Sequence, residues 1–514
     1  MRLGLQECAG KIEFDLSTLR LDPVEFIPPK VTLTPQLAQD LKTIRSRMRD
    51  DFMQAPSATP EELQAVLQDQ LPDGSFRSVD YKDDNRSSWR QVHHLDNTRI
   101  LTRAYADPRN PAYKNPKVAE AARAALAWWG THKPLSSNWW QNDMNQPKRI
   151  GQILLADPGD LFTGDIRKNA LDICRNARPL PRYTGNNLVF IAQNLFLRAL
   201  LEDDASLATA SANIIRREIR IVPPELRLQW ACGGIRGDGA YHQHGPQVQF
   251  GNYGGEFCEN MSRWANFWKG TAWEFTPQEW DLVRHYVFHG FQWTLWKGKM
   301  NLLAIGRQIW NQGEARKGDW VLRSIARYAT ADPKGPEPYE KILNRNETGV
   351  NDLIGTRVLW NSAMLFHRRG DWMSVVRGNS VRVRPVEDDT NGDNALGRYF
   401  SDGTCLFWRT GNEYTAITNS WNWTRLPGTT LPATPIQSRK DRRWTLSPKG
   451  SRQLGETAFD GGATDGSRGA FIFTQNLDGV RAKKAYFFDD DAVYELGTDI
   501  QSTSPYEVAT TINC

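Results

Sequence analysis

The densest concentration of side chains able to move protons lies in Asp238-Gly239-Ala240-Tyr241-His242-Gln243-His244-Gly245-Pro246-Gln247, which runs on to Phe250-Gly251-Asn252-Tyr253-Gly254-Gly255. Imidazoles and phenols act as general acids and bases, and glycine at this density lets a ligand approach the backbone closely. The same pattern also describes a glycine-rich surface loop with ordinary hydrogen-bonding side chains. Tryptophans and arginines elsewhere in the chain have plain alternatives to a functional role, as core residues or in internal salt bridges.

These segments need a scaffold, and the pattern around them is helical from about residue 33 to 330. Thr34 can cap a helix that has Pro35 in its first turn and Leu37, Leu41, Ile44, Met48 and Phe52 on one face. Thr276-Pro277-Gln278-Glu279 reads as a capping box. Ala119–Trp129 and Leu188–Leu201 are further helical stretches. Helices of moderate length joined by glycine- and proline-containing loops fit a layered array or α/α toroid with a cleft on one face. After about residue 372 short alternating runs take over, with turn signals at Asp402-Gly403 and Asp478-Gly479. Strands are expected at Ser380–Val383, Thr404–Trp408, Phe471–Phe473 and Tyr486–Phe488, as parts of an antiparallel sandwich. The expected organisation is α+β and multidomain: a helical domain over 1–330, a connecting segment over 331–371 and an incomplete β-sandwich over 372–514.

Composition narrows the function classes. A chain of 514 residues can bury more than one core. A net charge of +5, from 64 basic against 59 acidic residues, favours acidic partners but is too weak to single out nucleic acid, for which no motif speaks. Its 20 tryptophans suit carbohydrate binding. Cys8, Cys174, Cys232, Cys258, Cys405 and Cys514 form no C-x-x-C pair, which argues against a zinc ribbon or redox motif and leaves disulfides open. His285 and His289 have i, i+4 spacing, but no glutamate follows the first and no third ligand is evident, so packing or surface roles are expected. No stretch approaches the ~20 apolar residues of a membrane span. Met1–Gly10 lacks the apolar run of a signal peptide.

The motifs taken together closely resemble polysaccharide lyase family 8, the chondroitin AC, hyaluronate and xanthan lyases, and within it the chondroitin AC type. H-Q-H-G-P-Q followed by F-G-N-Y-G is similar to the family's active-site loop, which implies His244 and Tyr253 as catalytic residues. The T-G-x-N segment implies Asn187 as the binder of the substrate carboxylate, and the G-R-x-x segment implies Arg307 as the active-site arginine. Asn138, Trp139 and Trp140 match the N-W-W segment of the cleft's aromatic patch, and Trp423–Thr430 is similar to W-x-R-L-P-G-T-T. Residues 387–394 resemble an acidic N-G-E-N region with Asp393 in place of Glu, from which Asp388 and Asn391 are expected to reach the substrate; an ordinary acidic turn reads equally well. Asn311 stands where chondroitin AC-type relatives usually carry a second arginine.

The resemblance implies an incomplete α/α toroid joined to antiparallel β-sheets. It also implies β-elimination on a uronic-acid-containing glycosaminoglycan, chondroitin or hyaluronan, with xanthan or another uronate polymer as the alternative. An α/α-barrel glycoside hydrolase would need a pair of carboxylates that nothing marks, although Asp238 and Glu256 are available. A non-catalytic glycan-binding homologue would have lost site residues that are intact here. No cofactor or catalytic metal is expected; calcium would serve only as a structural aid. The expected partner is an anionic polysaccharide, the expected state a monomer, and the expected location secreted or periplasmic. The family also implies further strands beyond Val508–Asn513, so the β-domain is expected to be truncated.

Overall fold

The computed structural model describes residues 26–514 except Pro56, Ser87, 181–182, 227–231, Asn311, 388–392, Ala395, 416–419, 439–442, 445–453 and Cys514. The helical part contains α1 (Pro35–Gln54), α2 (Pro60–Asp69), α3 (His93–Ala106), α4 (Pro116–His132), α5 (Gln146–Ala156), α6 (Gly164–Cys174), α7 (Asn186–Glu202) and α8 (Ala205–Arg217). After the short strands β1 (Gly234–Ile235) and β2 (Tyr241–His242) come α9 (Gly255–Trp268), α10 (Pro277–His285) and the single turn α11 (Gln292–Thr294). A hairpin of β3 (Leu295–Trp296) and β4 (Lys299–Met300) leads to α12 (Gly313–Ala331) and α13 (Glu337–Thr348).

Local chemistry sets the helix starts. Thr34 accepts from Leu37 N–H ahead of α1, and Thr276 and Glu279 close a reciprocal capping box on α10. The inner faces of α1, α3, α5, α7 and α9 converge on an axial chamber of about 420 Å³. α4 and α6 pack outside α3 and α5, while α8 lies against α7 and α12 against α9. That pairing of inner with outer helices is the arc of an incomplete toroid.

The first sheet has the order β5 (Gly355–Leu359), β6 (Met364–Arg368), β7 (Met373–Arg377), β8 (Thr404–Trp408), all antiparallel. Short pieces β9 (Thr430–Pro432), β10 (Ile436–Ser438) and β11 (Arg443–Trp444) follow. The outer sheet runs β12 (Asp460–Thr464), β13 (Gly469–Leu477), β14 (Val480–Phe488), β15 (Val493–Ser502), and β16 (Val508–Thr510) returns to pair with β9. Asp478 and Gly479 both have positive φ, the two-residue turn that matches the twist of the β13–β14 hairpin.

The first sheet is buried on both faces. Met364 and Phe366 of β6, with Met373 and Val375 of β7, join a core continuous with the helical domain, whereas Leu365 and Val376 pack with Phe471, Phe473 and Tyr486 of the outer sheet. This arrangement corrects three expectations. The supposed connection over 331–371 holds α13, β5 and β6, so helices continue to Thr348 and the β-domain begins near Gly355 rather than 372. A strand buried on both sides shows no alternation, which hides β5 and β6 from a period-two reading. Ser380–Val383, expected as a strand, is a turn closed by one isolated bridge. Thr404–Trp408 is β8, and the other two expected strands fall inside β13 and β14.

Two arginines stitch the domains together beside the functional loops. Arg368 Nη1 donates to Leu295 O at 2.6 Å and Arg377 Nη1 to Leu303 O at 2.6 Å, from strands into the segment that leads to Arg307. Cys174, Cys258 and Cys405 are buried thiols outside any disulfide, and no described helix is long and apolar enough to cross a membrane.

Candidate active site

A cavity of about 650 Å³ opens at the end of the toroid next to the β-domain, and Asn187, His244, Tyr253, Arg307 and the Asn138–Trp140 turn all line it. Five separate chain segments therefore deliver the expected side chains to one place. Asp388 and Asn391 lie outside the described residues, as does Asn311.

Tyr253 sits in a π-helical turn, Phe250–Gly254, that precedes α9. The turn is pressed against the arginine loop: Gly251 N–H donates to Ile305 O at 3.1 Å, and a Cβ on Gly251 would lie 2.7 Å from Ile305 Cα. Gly306, at φ +93°, then turns the chain so that Arg307 faces Tyr253. The guanidinium carbon is 5.5 Å from the Tyr253 ring centroid, and Nη2 reaches the phenol oxygen at 3.5 Å. Burial raises the Tyr253 pKa, and the Arg307 charge works against that rise. Tyr253 in the free protein is thus a phenol whose phenolate already has a cation beside it.

His244 is held in the left-handed region at φ +61°, a conformation that costs a non-glycine residue about 1 kcal/mol. Arg384 Nη1 donates to its carbonyl at 3.1 Å, and its Nδ1 bonds Glu387 Oε1 at 2.8 Å. A neutral ring donating from Nδ1 carries its lone pair on Nε2. The His244 ring lies edge-on to Tyr253, with centroids 4.9 Å apart.

Glu387 is the residue that sequence reasoning missed. It came within the quoted acidic segment, but the weight there fell on Asp388 and Asn391. From the β-domain its two oxygens take His244 Nδ1 and Arg307 Nη1, each at 2.8 Å, and its side chain is 2% exposed. Burial alone would raise its pKa; the hydrogen bonds from His244 and Arg307 and the Arg307 charge overcome that and hold it at about 2. Asp393 adds a longer contact, 3.4 Å from Arg307 Nε, and accepts from Trp310 Nε1 at 3.2 Å. Residue types and spacing gave no signal for Glu387, because an acidic turn looks the same whether it meets solvent or a buried arginine.

Asn187 opens α7. Its neighbour Asn186 is buried and bonded to Glu256 and Asn260, while the Asn187 amide lines the cavity with no hydrogen-bond partner among the described residues. Its N–H donors are therefore available to an acceptor in the cavity, at the positive end of a helix. Asn138, expected to bind substrate, has its amide engaged: Oδ1 accepts from Trp140 N–H at 3.1 Å and Nδ2 donates to Arg86 O at 2.9 Å. It caps the turn that presents the two tryptophans. Trp139 leans on Tyr183, centroids 4.8 Å apart, and Trp140 is 36% exposed.

Of the two acids noted for hydrolysis, Asp238 is fully buried at the domain junction, accepting from Ala240 N, Asn361 N and Ser362 Oγ. Glu256 lines the cavity, and burial raises its pKa. Among the described residues no group of three or more His, Cys, Asp or Glu could hold a metal ion.

Residues 35–342 match the N-terminal alpha-helical domain of polysaccharide lyase family 8, and residues 354–514 match its super-sandwich domain. The chain belongs to polysaccharide lyase family 8. The two matched regions meet between α13 and β5, where the structure changes from helix to sheet. Among family 8 relatives, the chain is 28% identical to the chondroitinase-AC of Pedobacter heparinus over 86% of this chain and 62% of that protein. It is 23% identical to the hyaluronate lyase of Thermasporomyces composti over 83% of this chain and 59% of the relative. A solved chondroitinase AC lyase structure superposes with a TM-score of 0.82 at 26% identity, covering 92% of this chain and 69% of that one. The chain thus spans about six-tenths of the length of these two relatives.

Proposed function

We propose that this chain is a polysaccharide lyase that cleaves a uronic-acid-containing glycosaminoglycan, chondroitin or hyaluronan, by β-elimination. The observation that carries the reading is the convergence of Tyr253, Arg307, His244 and Asn187 on one cavity, with Arg307 in contact with the Tyr253 oxygen. The names of the family 8 relatives, chondroitinase-AC and hyaluronate lyase, support the choice of substrate.

An ionised uronate acidifies its own C5 proton poorly, because removing that proton adds negative charge beside a carboxylate. The Asn187 amide donates N–H bonds to the carboxylate and stabilises the enolate-like charge as it develops. Tyr253 takes the C5 proton as the phenolate, which Arg307 stabilises; its own proton passes to the lone pair on the neutral His244 ring beside it. The electron pair from C5–H forms the C4–C5 double bond, and the C4–O4 bond breaks. The phenol just formed returns its proton to the departing oxygen, leaving an unsaturated uronate end and a new hydroxyl. Trp139 and Trp140 fix the register of the sugar chain across the cleft. Action on a polymer too large to cross membranes suits a secreted or periplasmic enzyme.

The test is the ultraviolet absorbance of the unsaturated uronate when purified chain is incubated with chondroitin, hyaluronan or xanthan. Absorbance should rise on chondroitin or hyaluronan, and Tyr253→Phe should abolish the rise while still binding the polymer. A rise on xanthan alone would move the substrate assignment. No rise on any uronate polymer from folded protein would leave a glycan-binding homologue.

A further inference from the structure

Behind the cavity wall, in contact with the lining residue Gln308, lies a buried cation that this elimination leaves unused. Lys317, in the second turn of α12, is 7% exposed, and its Nζ donates to Gln308 Oε1 at 2.6 Å. The ammonium lies 5.2 Å from the Trp310 ring centroid and 5.0 Å from that of Trp320. Among the described residues the neutral Gln308 oxygen is its only hydrogen-bond partner, and no carboxylate comes within ion-pair distance. Burial pushes the Lys317 pKa down to about 8, while Glu256 and Asp393 pull it up and Arg307 pushes it down further. An ammonium held this way is costly unless something negative comes near it.

Gln308 translates that charge into the cavity. It lines the cavity one residue after Arg307, and with its oxygen held by Lys317 its NH2 must point the other way. Among the described residues that NH2 has no acceptor. An amide donor polarised by a cation behind it favours an anionic acceptor over a neutral hydroxyl. The opposing carboxylate, Asp393, is itself engaged by Arg307 Nε and Trp310 Nε1.

We propose that the Lys317–Gln308 pair is a specificity determinant that binds a sulfate ester on the sugar adjoining the reacting uronate. The proposal rests on the lyase reading above. Asn187 is assigned to the reacting carboxylate, and in an alternating uronate–hexosamine polymer the adjoining hexosamine has no carboxylate. The anionic group it can present is a sulfate ester.

The full chain carrying Tyr253→Phe, which binds without turnover, would be titrated calorimetrically with sulfated and unsulfated chondroitin tetrasaccharides. Lys317→Met is expected to weaken the sulfated ligand by about ten-fold and the unsulfated one by less than two-fold, the size of one charge lost through a partly screened contact. Gln308→Ala should shift the same ratio, and Lys317→Arg should restore most of it. Should Lys317→Met fail to fold, the partly exposed Gln308→Ala decides. Equal weakening of both ligands, no weakening, or no preference for sulfate in the parent chain would overturn the proposal. Unsaturated ends formed by the wild type without any sulfate preference would sink this inference and leave the lyase reading standing. Absence of such ends on every uronate polymer would sink the lyase reading, and the calorimetry would still report on the pair.

Discussion

Glu387→Gln tests whether one buried carboxylate organises the site. The side chain is 2% exposed and bridges His244 and Arg307 at 2.8 Å each. Its pKa falls from 4.5 to about 2, and at 1.36 kcal/mol per unit that shift corresponds to about 3 kcal/mol of stabilisation of the charged form. A folded pKa below the unfolded one means that the contribution is fully present above about pH 5 and is lost as pH falls toward 2. Glutamine keeps the shape but removes the charge, leaving Arg307 buried with Asp393 at 3.4 Å as its remaining acid. Urea unfolding at pH 7 should show the variant less stable by about 3 kcal/mol, within the range for breaking a buried pair. The gap between variant and wild type should close as pH drops below about 4, because the wild type then loses what the variant already lacks. A gap that stays constant from pH 7 to pH 3, or one under about 1 kcal/mol at pH 7, would refute the account of Glu387 as the anchor of His244 and Arg307.

Two further predictions concern the cavity. Asn187→Ala removes donors with no partner among the described residues, so thermal unfolding should be nearly unchanged while kcat for unsaturated-uronate release falls by about 10²–10³-fold; a loss in KM alone would assign Asn187 to binding and not to charge stabilisation. Trp140→Ala should weaken oligosaccharide binding about five-fold in calorimetry without lowering the melting temperature, since that ring is partly exposed, whereas Trp139→Ala should lower both because Trp139 packs on Tyr183.

Several features of this protein are legible in its local residue pattern. Threonine caps at Thr34 and Thr276 and the Asp478-Gly479 turn act through neighbours a few residues away, so their geometry is legible locally. The motifs around Asn187, His244, Tyr253 and Arg307 named side chains that the fold does gather. Burial on both faces of a sheet leaves no period to read, so β5 and β6 became visible only once the sheet lay between helices and a second sheet. Whether a carboxylate becomes the anchor of a site depends on what faces it across 143 residues of chain, as Glu387 does for His244. The same holds for Asn138, whose amide is taken up by the turn it caps, and for Lys317, whose charge acquires a direction only through Gln308. Residue type fixes which interactions a side chain can make. Which of them it does make, and in how dry a setting, is decided by the tertiary contacts that bring distant segments together and exclude water.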